Sequence, residues 1–154
     1  MACVVRLLEA GFDPAAEIAT FAADHAQAGG IASFIGQVRA GDGVEALELQ
    51  HYAPLTLPAM EGLAAAAQAR WPLDGLLIIH RAGIMHPGDP IVLVAAAARH
   101  RRDAFAAAEF AMDHLKSESW FWKREKRAGE WQWIEPRERD FSDLARWEQN
   151  SGSI

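Results

Sequence analysis

Apolar and polar positions along this 154-residue chain change their period several times, and each change marks an element. Cys3 to Leu8 is apolar except for Arg6 and predicts a strand. Asp13 followed by Pro14 is a helix cap with proline at the first helical position, so a helix is predicted from there to about Gln27, stopped by Gly29 and Gly30. Ile31 to Val38 predicts a second strand, and Ala40-Gly41-Asp42-Gly43 a turn. From Val44 to Tyr52, Val44, Ala46, Leu47 and Leu49 interleave with Glu45, Glu48 and Gln50, which predicts a strand paired with its predecessor as a hairpin.

Thr56 and Pro58 open a second predicted helix, ended by Trp71-Pro72. Gly75 to Ala82 and Ile91 to Ala98 are nearly continuous apolar runs, expected of strands covered on both faces, with a turn over residues 86–90 between them. A third helix is expected from about Arg101 to Ser117. A second hairpin follows, Trp120 to Lys126 and Trp131 to Glu135, turning near Ala128-Gly129, with Trp120 and Trp122 facing Trp131 and Trp133 across the strands. A short helix, Phe141 to Trp147, precedes a polar tail. The order of elements predicts an α+β fold with mixed strand pairing: one domain over residues 1–147 and an unstructured tail over 148–154.

Composition narrows the function. The longest uncharged apolar stretch, Ile91 to Ala98, falls far short of the ~20 residues a membrane helix needs. Met1 to Glu9 carries Arg6 and Glu9 and lacks a cleavage-site pattern, so it reads as a strand and not as a signal peptide. A single cysteine, Cys3, excludes an internal disulfide and fits a reducing, cytoplasmic setting. The net charge of -6 opposes general nucleic-acid binding. That charge is uneven: Arg99 to Arg127 holds eight Lys/Arg against five Asp/Glu, and contains all three lysines. A cationic island on an acidic chain points to a small anionic ligand or an acidic tail.

The island carries the candidate chemistry. At about 100° per residue from Phe105, Met112 and Lys116 each fall within about 20°, which places Lys116 in an apolar stripe of the third helix. Desolvation there would lower its pKa and suit it to act as acid, base or nucleophile. The alternative is a last-turn lysine that complements the helix dipole and reaches outward. At the helix start, Arg99-His100-Arg101-Arg102 joins basic side chains to free backbone N–H groups, a ready anion site, or else a solvated basic turn. A helix of this length spans roughly 24 Å, so its two ends serve one ligand only if a second protomer brings one of them in. Trp120 to Arg127 interleaves aromatics and cations, with Phe121, Lys123 and Glu125 on one strand face and Trp122, Arg124 and Lys126 on the other. Such a strand could stack on a flat heterocycle or on single-stranded nucleic acid. Arg39, at a strand end, could clamp a phosphate. His25, His51, His80, His86 and His114 show no metal-ligand spacing, and neither a metal nor a cofactor is expected.

In order along the chain stand Phe34-Ile35-Gly36-Gln37-Val38-Arg39, Leu47 to Tyr52, Arg70-Trp71-Pro72-Leu73, Ile79-His80-Arg81-Ala82-Gly83 and Pro87-Gly88-Asp89. His100-Arg101, Met112-Asp113-His114-Leu115-Lys116, Phe121 to Glu125, and Trp133-Ile134-Glu135 with Arg137 complete the series. Together these resemble the molybdopterin synthase catalytic subunit family. The resemblance implies an α/β hammerhead with an additional antiparallel β-sheet subdomain, and a homodimer at the core of a heterotetramer. It implies a small ubiquitin-like sulfur-carrier subunit whose C-terminal Gly-Gly thiocarboxylate enters this subunit's pocket. The implied substrate is cyclic pyranopterin monophosphate, which two sulfur transfers convert to molybdopterin. By the same resemblance Lys116 and Lys123 are the catalytic residues. Arg39, His100 and Arg101 would hold the phosphate, the latter two from a neighbouring protomer. Phe34, Gln37, Val38, Met112, Arg124, Glu125 and Arg137 would complete the substrate site. The chain departs from the family pattern at Gln37, where lysine is common, in a shortened Ala40 to Gly43 loop, and at Trp120, where proline is common.

Overall fold

The computed structural model describes residues 2–117, 120–135 and 138–151. Its first sheet has the order β1-β4-β6-β2, formed by β1 (Ala2–Leu8), β4 (Leu73–Arg81), β6 (Pro90–Ala98) and β2 (Gly30–Gln37). β1 runs parallel to β4, and the other pairings are antiparallel. The second sheet is antiparallel throughout, in the order β5-β3-β7-β8: β5 (Gly83–Met85), β3 (Ala46–His51), β7 (Phe121–Arg127) and β8 (Glu130–Ile134). Four helices complete the fold: α1 (Pro14–Asp24), α2 (Ala53–Arg70), α3 (Arg101–Ser117) and α4 (Glu138–Ser151).

Strand alternation divides the apolar side chains of the first sheet between two cores. Leu76, Ile78, Val94, Ala96 and Ala98 meet α2 and α3 through Met60, Leu63, Ala67, Ala107, Ala111 and Leu115. Leu77, Ile79, Leu93, Ala95 and Ala97 meet α1 through Phe21. A smaller core of Val38, Leu47, Leu49 and Met85 lies where the two sheets join. The Asp13 carboxylate caps α1 as expected, accepting from the backbone N–H of Ala15 and Ala16. α4 is fastened to α3: Arg146 and the Trp147 indole both donate to Asp113 at 2.6 Å, and Ser117 Oγ donates to the Asp140 carbonyl at 2.5 Å.

The expected hairpin between β2 and β3 does not form. β6 is buried on both faces, so its backbone groups need partners on both edges. β4 satisfies one edge and β2 the other. The turn after β2, with Gly41 and Gly43 at positive φ, instead carries the chain into the second sheet. The second hairpin forms, but its expected aromatic pairs do not: the register sets Trp131 opposite Lys126 and Trp133 opposite Arg124, while Trp122 faces Gln50. α2 begins at Ala53, ahead of Thr56, and holds Pro58 inside it. The polar tail expected from residue 148 continues α4 as far as Ser151; residues 152–154 lie outside the described residues.

Two glycines separate packing from chain entropy. A Cβ on Gly29 would lie 2.0 Å from the Arg99 carbonyl oxygen, a backbone atom that cannot step aside, whereas one on Gly62, inside α2, would meet nothing within 4 Å. Thermal unfolding should show Gly29→Ala destabilised by about 1–3 kcal/mol, as overpacked sites are. Gly62→Ala should instead be stabilised by about 0.5–1 kcal/mol.

Candidate active site

The two sheets diverge at the end of the first one, and the last turns of α3 close the gap from the side. The result is a cavity of about 590 Å³. Phe34, Gln37, Val38 and Arg39 reach it from β2 and its exit, Met112 and Lys116 from α3, and Lys123 and Glu125 from β7. Eight residues singled out from the sequence therefore line one space, although they come from three separate segments. β7 turns Phe121, Lys123, Glu125 and Arg127 inward by alternation.

Charge is arranged in short pairs around this space. Lys123 Nζ lies 3.7 Å from Glu125 Oε1, and the other Glu125 oxygen takes Arg127 at 3.3 Å. Arg39, with a side chain 74% exposed, meets Asp42 at 3.3 Å across the turn. Arg127 also donates to the Asp42 carbonyl, tying that turn to the end of β7. Lys116 adds an ammonium at the α3 side, and Glu135 and Asp140 bring two further carboxylates to the lining. Apolar wall is supplied by Phe34, Val38, Ile91 and Met112. The cavity can thus accept a ligand with a flat apolar body and an anionic part, and can stabilise an oxyanion formed inside it.

Several expectations need correction. Lys116 is solvent-exposed, not sunk in an apolar stripe. The helical wheel took Phe105 as the centre of the buried face, but Phe105 is 64% exposed; the buried arc is centred on Ala104, Ala107, Ala108 and Ala111. Lys116 stands beyond that arc, at the border between helix and cavity. Arg124 does not face the cavity. It points to the opposite face of the second sheet, 2.6 Å from Glu48, with its guanidinium over Trp131 at 4.6 Å and Trp133 at 5.6 Å. The expectation that His100 and Arg101 act from a neighbouring protomer stands apart from these corrections: both are exposed at the far end of α3, outside the cavity of their own chain. Arg137 lies outside the described residues. Cys3 is on β1, away from the cavity; partial burial raises its thiol pKa, opposed by a hydrogen bond with Gln68.

His80 was missed as a site residue. It extends the Leu76–Ile78 row of β4 past the end of the core and onto the cavity wall, where it is 6% exposed. Its ring stacks on Phe121 with centroids 4.0 Å apart and planes 18° from parallel. Burial holds its pKa down to about 4; the bond to the Arg81 carbonyl opposes this and nearby His51 adds to it. The available signal was the apolar alternation of β4, which puts His80 on the same face as Ile78. Among the described residues, no group of three or more His, Cys, Asp or Glu side chains is placed to hold a metal ion, and no helix is long and apolar enough to cross a membrane.

A family model described as MoaE protein matches residues 7–118, a stretch that contains Arg39, His80 and Lys116. The molybdopterin synthase catalytic subunit of Ralstonia nicotianae is 49% identical over 146 residues, covering 93% of this chain and 83% of that protein. The catalytic subunit of Mesorhizobium japonicum is 45% identical over 154 residues, covering 98% and 97%. The solved molybdopterin biosynthesis MoaE protein from Burkholderia ambifaria has a TM-score of 0.80 at 44% identity, covering 96% of this chain and 99% of that one.

The buried imidazole makes stability depend on pH. An unfolded histidine titrates near 6.5, whereas His80 in the fold titrates at about 4. Between these values the unfolded chain takes up a proton that the folded chain refuses. Stability is therefore full above about pH 6.5 and falls as the pH drops toward 4. Denaturant unfolding at pH 7 and pH 4.5 should show a loss of up to about 3 kcal/mol that is missing from His80→Phe.

Proposed function

This chain belongs to the MoaE family of molybdopterin synthase catalytic subunits, sulfur-transferring enzymes of molybdenum cofactor biosynthesis, and we propose that the cavity beside Lys116 and Lys123 is its reaction chamber. One observation carries the reading. Lys116, Lys123 and Arg39 are far apart in sequence but line one cavity that also has an apolar wall. A phosphorylated pterin needs that combination: a flat body to cover and an anion to hold.

In this reading the substrate is cyclic pyranopterin monophosphate. The sulfur arrives as the thiocarboxylate at the Gly-Gly end of a small ubiquitin-like carrier subunit, since the chain's one cysteine is outside the chamber. Lys116 acts at the thiocarboxylate and the substrate carbon, where its ammonium stabilises the oxyanion formed on the acyl carbon. Lys123, steadied by Glu125, assists proton transfer. The wet position of Lys116 in the lone chain fits this role, because the carrier's tail and the substrate would exclude water once both are bound and strengthen every charge interaction inside.

Arg39 holds the phosphate together with His100 and Arg101 of a second copy of the chain. Within one chain, α3 keeps those two residues roughly 24 Å from Lys116. A homodimer, with a carrier at each end, brings them to the site. The single cysteine and the lack of a membrane-spanning helix among the described residues support a cytoplasmic setting. A nucleic-acid platform on the second sheet is disfavoured, since Arg124 is already committed to Glu48 and stacked on Trp131 and Trp133.

The test mixes the protein with thiocarboxylated carrier and the pterin precursor and measures dithiolene product. Lys116→Ala should lower kcat by roughly 100-fold or more and leave stability within about 0.5 kcal/mol, because the side chain is exposed. Product formed by this variant at the normal rate rejects the assignment. Arg101→Ala should raise the KM for the precursor with little change in kcat; a loss confined to kcat contradicts the phosphate role.

A further inference from the structure

Most polar side chains on the cavity wall are cations, or carboxylates already paired with them. His80 differs. Its Nδ1 lies 3.0 Å from the Arg81 carbonyl oxygen. A carbonyl only accepts, so Nδ1 carries the hydrogen and the neutral ring has a bare lone pair on Nε2. Among the described residues no hydrogen bond reaches that nitrogen. The ring cannot readily turn to present another atom, because it is stacked on Phe121 and anchored at Nδ1.

Resting on the function proposed above, we infer that His80 Nε2 is a built-in hydrogen-bond acceptor for an N–H group of a bound reactant. Two reactants offer such a group: the peptide amides of the carrier's Gly-Gly tail and the ring or amino N–H groups of the reduced pterin. The ammonium and guanidinium groups of Lys116, Lys123, Arg39 and Arg127 hold anions but cannot accept from an entering N–H, and an unpaired N–H in a closed site is costly. A neutral acceptor meets that need without putting another negative charge beside Lys123. Burial holds the ring's pKa down to about 4, so near neutral pH its acceptor is not lost to protonation. Phe121, on which it leans, is two residues before Lys123 on the same face of β7, so the stack also fixes the acceptor relative to that ammonium.

The test compares His80→Phe with His80→Gln. Phenylalanine keeps a flat ring against Phe121 and removes the acceptor. Glutamine puts an amide oxygen near the position of Nε2. Steady-state turnover is measured with each reactant varied in turn, and calorimetry measures the binding of the precursor and of the carboxylate form of the carrier separately. His80→Phe should lose roughly 5- to 100-fold in kcat/KM and in affinity for the reactant that donates, and little for the other. The arm that changes identifies which reactant it is. His80→Gln should recover to within about threefold of the parent. Parental constants for both reactants in a folded His80→Phe would overturn the inference. So would equal impairment of the two variants, which would reduce His80 to a packing residue. Failure of the unaltered enzyme to form product would overturn the proposed function instead, and the binding arm would still decide His80.

Discussion

The architecture depends on how closely α3 can approach the first sheet. The approach is set by small side chains: Ala96 and Ala98 on β6 meet Ala104, Ala107, Ala108 and Ala111 on α3, all buried. Larger residues on either side would lift the helix and move its last turn by a similar distance. Lys116 is carried on that turn. The position of an ammonium at the cavity border is thus fixed by alanines up to three turns away, none of which touches the cavity.

The cavity itself follows from a mismatch between two sheets. β6 must be paired on both edges, so β2 is drawn into the first sheet and the chain crosses to the second only afterwards. The junction is filled by Val38, Leu47, Leu49 and Met85, with Ile91 and Phe121 at the border. Beyond them the apolar filling ends, and ionic side chains from β7 and the turn after β2 take over. Because each wall belongs to a different part of the fold, no single element could be altered without reshaping the site. Arg127 ties the end of β7 to the turn after β2, and Thr56 Oγ1 of α2 donates to the Trp120 carbonyl at 2.9 Å, just ahead of β7.

Much of this was legible in the sequence, for reasons that can be stated. Long apolar runs and strong caps are local signals, so β4, β6, the start of α1 and both ends of α3 came out nearly as observed. The α+β class with mixed pairing also followed from the order of elements, whereas the additional antiparallel sheet was implied only by the family resemblance. Strand partnership is not local. The glycine-bearing turn after β2 has the composition of a hairpin loop, and nothing in Ile31 to Tyr52 says that β6 outbids β3 for β2. Lys116 follows the outward of its two readings for a similar reason: Phe105 is exposed, and the centre of the buried face is a set of alanines with weak individual signals. Arg124 illustrates the opposite case, since strand alternation alone already placed it opposite Glu125. Only the ordered resemblance had put both in one site, and geometry separates them. His80 had a readable position and no readable chemistry until its neighbours were known.

β2 is an outer strand of the first sheet, and among the described residues no strand lies beside its far edge. Ile31, Phe34 and Ile35 are exposed along it. An uncapped ladder flanked by bulky apolar groups is the usual seed for uncontrolled strand-to-strand association. Left bare, that rim should be where clumping begins as the polypeptide's concentration rises.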